Sequence, residues 1–324
     1  MTRTPILRAV AFLAIAALAL PLFAKDDALS LVPANAVTVG MVKLREMRSS
    51  PLSSMLFEHT DKMSTDGEAE KFLLEAGLAP AKDIDVLVVS TSPRTNLGSE
   101  ADVVVIAEGR FNAERLSSAL LARGAVKKGG YLVLPDAPVN ERKENGAVAF
   151  PSASLVIAGT ERAVAAALEA RANGGTNFRT VNGLGMDLAR VDRNATAWAL
   201  VDVTRAARLT KGGTIHTGKG ASGDALAAAI RSVSTIAVWA KDTGGALELG
   251  AFGLSGDAET LALLEDTVRG ALSALRLAVK EKSPDMVSVL RRFEVSRKAG
   301  SITIEGSIPA TSLREMMAKK RASN

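Results

Sequence analysis

The sequence predicts an α+β protein of two related domains, each a mostly antiparallel sheet with helices on one face. Three observations carry that prediction. Runs such as Phe293-Glu294-Val295-Ser296 and Ile302-Thr303-Ile304-Glu305 alternate apolar with polar residues, the period of an antiparallel strand with one face in water. Longer amphipathic runs begin after good N-cap residues, as at Asn112 and Asp257, with Glu114 and Glu259 in the first turn, where a negative charge favours the helix dipole. Finally, the same landmarks recur in the same order in both halves of the chain, the mark of an internal duplication.

The first landmark is a strand entering a polar turn, Ala36 to Leu44 and again Ala195 to Val203. In each copy one face is bulky (Val39 and Met41; Trp198 and Leu200) and the other small. The second is a strand running into a helix start, Gly109-Arg110-Phe111-Asn112 against Ser255-Gly256-Asp257. The third is Ser154-Leu155-Val156-Ile157-Ala158-Gly159-Thr160 against Ser301-Ile302-Thr303-Ile304-Glu305-Gly306-Ser307, each followed by a helical stretch.

Taken in order, the first copy reads as strand 36–43, helical material over 46–78 broken at Asp66-Gly67, and strands 84–91 and 102–109. Helix 112–123, strands 130–135, 146–150 and 154–158, and helix 160–172 complete it. In the second copy Lys298-Ala299-Gly300 supplies the turn of a hairpin. Each copy is thus a β-α-β-β-α-β core, ferredoxin-like in order, with an added hairpin and terminal helix. The expected boundaries are a signal peptide over 1–24, copy 1 over 30–172, a Gly-rich linker over 173–194 and copy 2 over 195–321.

Composition narrows the function classes. The 324 residues are 47% hydrophobic and 23% charged, with no Cys, two His and few aromatics, which is the balance of a folded chain held by apolar packing. Forty Lys and Arg face thirty-five Asp and Glu, interleaved almost everywhere, so the basic stripe of a nucleic-acid binder is missing. Arg3 and Arg8, the apolar run Ala9 to Phe23 and the small residue Ala24 before Lys25-Asp26-Asp27 have the layout of a secretory signal peptide, cleaved between Ala24 and Lys25. The run is shorter than the roughly 18–20 residues of a spanning helix, which leaves an uncleaved anchor as the alternative; no later segment reaches that length without charge, so no transmembrane helix is expected after cleavage. The expected location is the periplasm or the exterior.

No motif commits the chain to catalysis or to a cofactor. Gly218, Gly220 and Gly223 make a G-x-G-x-x-G, and Gly213 to Lys219 nearly a P-loop. The preceding strand ends near Val203, too early for a phosphate-binding turn, and Gly220 stands where a P-loop needs Ser or Thr. The stretch reads as a Gly-rich loop. His59 and His216 fall in different copies, and the cluster Glu58-His59-Thr60-Asp61 with Asp66, Glu68 and Glu70 lacks calcium-loop spacing. Asp83 and Asp85 share one side of a strand entry as a glycosidase pair would, without the aromatic platforms that sugars need. There is no G-x-S-x-G elbow. The stripes Phe111, Leu116, Leu120, Leu121 and Leu261, Leu264, Val268, Leu272, Leu275 suit packing on a sheet. Lys319-Lys320-Arg321 suit a helix C-terminus and anionic head groups.

Leu31-Val32-Pro33-Ala34-Asn35-Ala36 before a strand, Lys43-Leu44, Ser50-Pro51-Leu52, Gly77-Leu78, Asp83 to Val86 and Gly109 to Asn112 resemble an uncharacterised class of bacterial exported proteins carrying a domain of unknown function. The resemblance spans residues 31–172, and it implies export and a fold of this kind without bringing any site residue. The leading expectation is therefore a non-enzymatic exported protein that binds an envelope partner or serves as an envelope accessory. The alternative is a periplasmic carrier of a lipid or other apolar ligand, which needs an apolar cavity of roughly 300–1,000 Å³ between sheet and helices. A hydrolase without a recognisable motif comes third.

Overall fold

The computed structural model describes residues 27–50, 52, 74–94, 101–138, 144–172, 177–180, 183–209, 228, 230–281 and 284–322. The first half runs β1 (Thr38–Val42), α1 (Leu44–Ser49), α2 (Pro80–Asp83), β2 (Ile84–Pro93), β3 (Ala101–Gly109), α3 (Ala113–Ala122), β4 (Val126–Lys128), β5 (Tyr131–Pro138), β6 (Asn145–Ser152), β7 (Leu155–Thr160) and α4 (Glu161–Ala172). The short α5 (Leu184–Asp187) then leads to β8 (Ala197–Asp202), α6 (Val203–Leu209), β9 (Thr235–Asp242) and β10 (Ala246–Leu254). The chain ends with α7 (Ala258–Val279), α8 (Pro284–Leu290), β11 (Glu294–Lys298), β12 (Ser301–Pro309) and α9 (Ala310–Ala322).

The protein is α+β, as the alternation of its strands predicts. The strands form one sheet in the order β11-β12-β10-β9-β8-β1-β2-β3-β7-β6-β5-β4, and every pairing in it is antiparallel. Outward from the centre the halves repeat one order, β1-β2-β3-β7-β6 and β8-β9-β10-β12-β11, to which the first half adds β5 and β4. The first strand of each half pairs directly with the second, whereas a ferredoxin-like order would set another strand between them. The two first-landmark strands, β1 and β8, join the halves, with Gly40 opposite Ala199 and Met41 opposite Trp198.

Because successive strand residues face opposite ways, this register separates two layers. On the inner face Val39, Val88, Val104, Ile106, Ile157, Trp198, Leu200, Ala237 and Phe252 share one core, which extends across the central join. Helix α4 covers it with Ala163, Val164 and Ala167. On the outer face α3 packs Leu116 against Ala107 and Phe111, and α7 packs Leu261, Leu264 and Val268 against Val295 and Ile302. Ile106 and Ala107 are chain neighbours in different clusters, so helices lie on both faces, at different strands. Both long outer helices start at the caps read from sequence: Asn112 accepts from the Arg115 N–H at 2.9 Å, and Asp257 from those of Glu259 and Thr260.

Two close approaches lock the architecture. Gly250 faces Trp239 across β9 and β10, and the indole occupies the space that a Cβ would need. Within the stretch where a linker is expected, Phe178, Leu184 and Val191 join the inner core. Phe178 is 1% exposed and its N–H reaches the Val32 carbonyl at 3.0 Å, while Gly185 lies against the Phe178 carbonyl where no side chain fits.

Candidate functional site

Several candidates read from sequence lie outside the described residues: Ala24 and Lys25, Glu58 to Glu70 with His59, and the Gly-rich loop 212–223 with His216. The acids of the strand entry take different partners. Asp83 ends α2, where its carboxylate accepts the Ala79 N–H at 2.8 Å, whereas Asp85 pairs with Arg48 at 2.7 Å. Among the described residues, no three His, Cys, Asp or Glu gather as a metal site, and no helix is long and apolar enough to cross a membrane.

The structure instead brings together a polar cleft that no motif announced. Ser92 pairs with Asp102 in the β2–β3 hairpin, so Arg94, two residues past Ser92, lies within reach of that acid. Arg94 Nε donates to Asp102 Oδ1 at 2.9 Å, and its terminal nitrogens form a bidentate pair with Glu144. Asp102 also accepts the Thr160 hydroxyl at 3.1 Å and lies 3.1 Å from Arg162 on α4. The Arg94 and Asp102 side chains are only 10% and 9% exposed, beside a cavity of about 530 Å³ edged by Tyr131, Asn145 and Glu161. Hydrogen bonding to Glu144 holds the guanidinium above its usual value despite partial burial. A general acid or base needs a pKa moved toward neutrality. Around this cleft the shifts favour the ordinary states: Lys128 lowers Glu161, Glu161 raises Lys128, and burial raises Tyr131. The arrangement is suited to tying β2, β3, β6 and α4 together by charge-assisted hydrogen bonds.

Glu161 gives a pH prediction. Its folded pKa lies below the ordinary 4.5, first because Lys128 donates to it and then because the Tyr131 hydroxyl does, at 3.1 Å, with burial opposing. A depressed carboxylate contributes stability that is present above its unfolded pKa and lost as pH falls through the folded one. Carboxyl NMR titration is expected to place the Glu161 midpoint below 4.5, and Lys128→Gln to move it upward. An unmoved midpoint would show that the Lys128 contact is not formed in solution.

The second feature is apolar and lies on the outer face. Register places Val89, Gly40, Ala199 and Val238 side by side across β2, β1, β8 and β9. The small residues of the two central strands form a trough between the valines. Val89 is 40% and Val238 48% exposed, unusual for the middle of a sheet. Beside this row, between β9, β10, β12 and α7, opens a pocket of about 190 Å³ lined by Ile230, Val233, Ile236, Leu264, Ile302 and Ile304 among others. Of the sequence stripes, Leu116, Leu261, Leu264 and Val268 are buried against the sheet, whereas Leu121 and Leu275 remain exposed. The small faces of β1 and β8 are legible in the sequence. Their adjacency is not, because it follows from the pairing of strands far apart in the chain.

No protein-family model and no curated protein matches this sequence, which accords with the resemblance to an uncharacterised class. Among solved structures, crystal form III of TP0453 is similar at a TM-score of 0.49 and 10% identity, covering 91% of this chain and 99% of that one. Crystal form I of TP0453 is similar at a TM-score of 0.49 and 10% identity, covering 90% of this chain and 97% of that one.

Proposed function

We propose that the mature chain is an exported, non-enzymatic binding protein that takes a polypeptide partner of the cell envelope on the outer face of its sheet. The observation that carries this reading is the open apolar pocket of about 190 Å³ beside the exposed Val89 and Val238. A volume of this order suits one anchoring side chain, since an apolar cavity of about 150 Å³ takes a benzene ring. It falls below the roughly 300–1,000 Å³ of small-molecule pockets, which favours a protein partner over a lipid. Interfaces are commonly held by a few such anchors in desolvated pockets. Export is supported by the layout of residues 1–25, and the repeated strand order of the two halves supports their reading as copies.

The test is native mass spectrometry of the mature protein purified gently from its own envelope. A second polypeptide is expected in the complex. Ala251→Phe, which fills the pocket from β10, and Val238→Arg, on the exposed row, are each expected to release it without changing the unfolding midpoint. A bound small-molecule mass would overturn the reading in favour of a carrier. A protein mass alone, or a complex indifferent to both substitutions, would overturn it as well.

A further inference from the structure

The sheet is open, and β11 forms one of its two edges, paired among the described residues only with β12. The β11–β12 turn has two residues, Ala299 and Gly300, with Gly300 at φ +75°. Such a hairpin makes Lys298 and Ser301 a mutually hydrogen-bonded pair, and the antiparallel pattern alternates from there. Ser296 and Glu294 then bond to β12, while the N–H and C=O groups of Val295 and Arg297 point outward. One contact agrees with this assignment: the Val295 carbonyl accepts a hydrogen bond from Arg269 of α7 at 2.6 Å. A carbonyl oxygen has a second lone pair, so the group can still accept from another strand.

Edge strands that must stay single are commonly blunted by charge. The charges on β11 are arranged differently. Glu294 and Lys298 stand at opposite ends of the five residues and on the same face, and both are exposed, as are Ser296 and Arg297. We propose that β11 is a self-association edge, on which a second copy of this chain adds its own β11 antiparallel about Ser296. That register sets Val295 opposite Arg297 of the other copy, so the outward backbone groups of each strand meet those of its mate. It also sets each Glu294 opposite a Lys298. A parallel arrangement would oppose like charges, which destabilises a pair. An unrelated strand meets these charges as an obstacle, whereas the chain's own copy meets them as complements, so the same residues exclude strangers and select self. With five residues from each side, the contact belongs to the small, weak class of interfaces, and a reversible, concentration-dependent dimer is the expected form.

Sedimentation equilibrium of the mature chain tests this. Its average mass is expected to rise toward twice the monomer as protein increases from low micromolar to near millimolar. Glu294→Lys creates two like-charge oppositions per dimer and is expected to weaken association about tenfold. Adding Lys298→Glu to that variant reverses both pairs and is expected to restore the dimer. Arg297→Pro removes an outward N–H and is expected to abolish pairing, whereas Arg297→Ala, which loses the same side chain and its contact with Glu265, is expected to retain it. Equal thermal unfolding of the two Arg297 variants separates an edge effect from misfolding. A monomer at every concentration, a dimer insensitive to Arg297→Pro, or a double charge swap that stays as weak as Glu294→Lys would each overturn the proposal.

Discussion

Replacing Trp198 by alanine is expected to destabilise the protein by about 3–5 kcal/mol, the range for truncating a buried aromatic, because the transfer energy of the ring is lost and a cavity is left behind. Trp198 is 6% exposed on the central strand β8, opposite Met41 of β1 on one side and Trp239 of β9 on the other. The indole therefore lies at the join of the two halves, and the strands around it are held by backbone pairing and have little freedom to collapse. The control is Val238→Ala, on the same part of the sheet but facing outward and 48% exposed, for which a change within about 0.5 kcal/mol is expected. Urea denaturation of the pair measures the contrast. Equal effects would show that the outer face is covered in solution, contrary to the trough described here.

Arg94→Met is expected to cost about 3 kcal/mol, because removing one partner of a largely buried ion pair leaves the other charge desolvated with fewer partners. Asp102, 9% exposed, would keep only Thr160 and the well-exposed Arg162, while Glu144, 29% exposed, can turn to water. Adding Asp102→Leu removes the stranded carboxylate. The double variant is expected to be more stable than the sum of the single losses implies, since replacing both members of a buried pair by apolar groups is often close to neutral. Denaturant midpoints of the four proteins in this cycle provide the measurement. Strict additivity would mean that Arg94 and Asp102 do not interact in solution.

The strand limits were largely legible in the sequence. The hairpin read over Phe293 to Glu305 is β11 and β12, and the helix read over 112–123 is α3, with its cap at Asn112. Strand β4 was not legible: Val126, Lys127 and Lys128 are all exposed, so no alternation marks them, and only pairing with β5 makes them a strand. The polar cleft was missed for a related reason. Arg94, Asp102, Glu144 and Arg162 have no common spacing, and the signal that could have joined the first two is the β2–β3 register, in which Ser92 meets Asp102. The apolar pocket was half visible. The stripe Leu261, Leu264, Val268 marks a helix face that packs on strands, but nothing in that stripe says which strands lie beneath it.

What the sequence determined by itself is local: which residues form strands, which face of each is bulky, and where the long outer helices begin. Those properties follow from side-chain periodicity and from capping, both of which act within a few residues. The tertiary structure alone decided that β1 pairs with β8, and hence that two sheets became one with a shared inner core and adjacent small faces outside. Backbone hydrogen bonds between strands are nearly the same for any sequence, so a strand's alternation settles its face but not its neighbour. That choice is made by burial summed over the whole sheet.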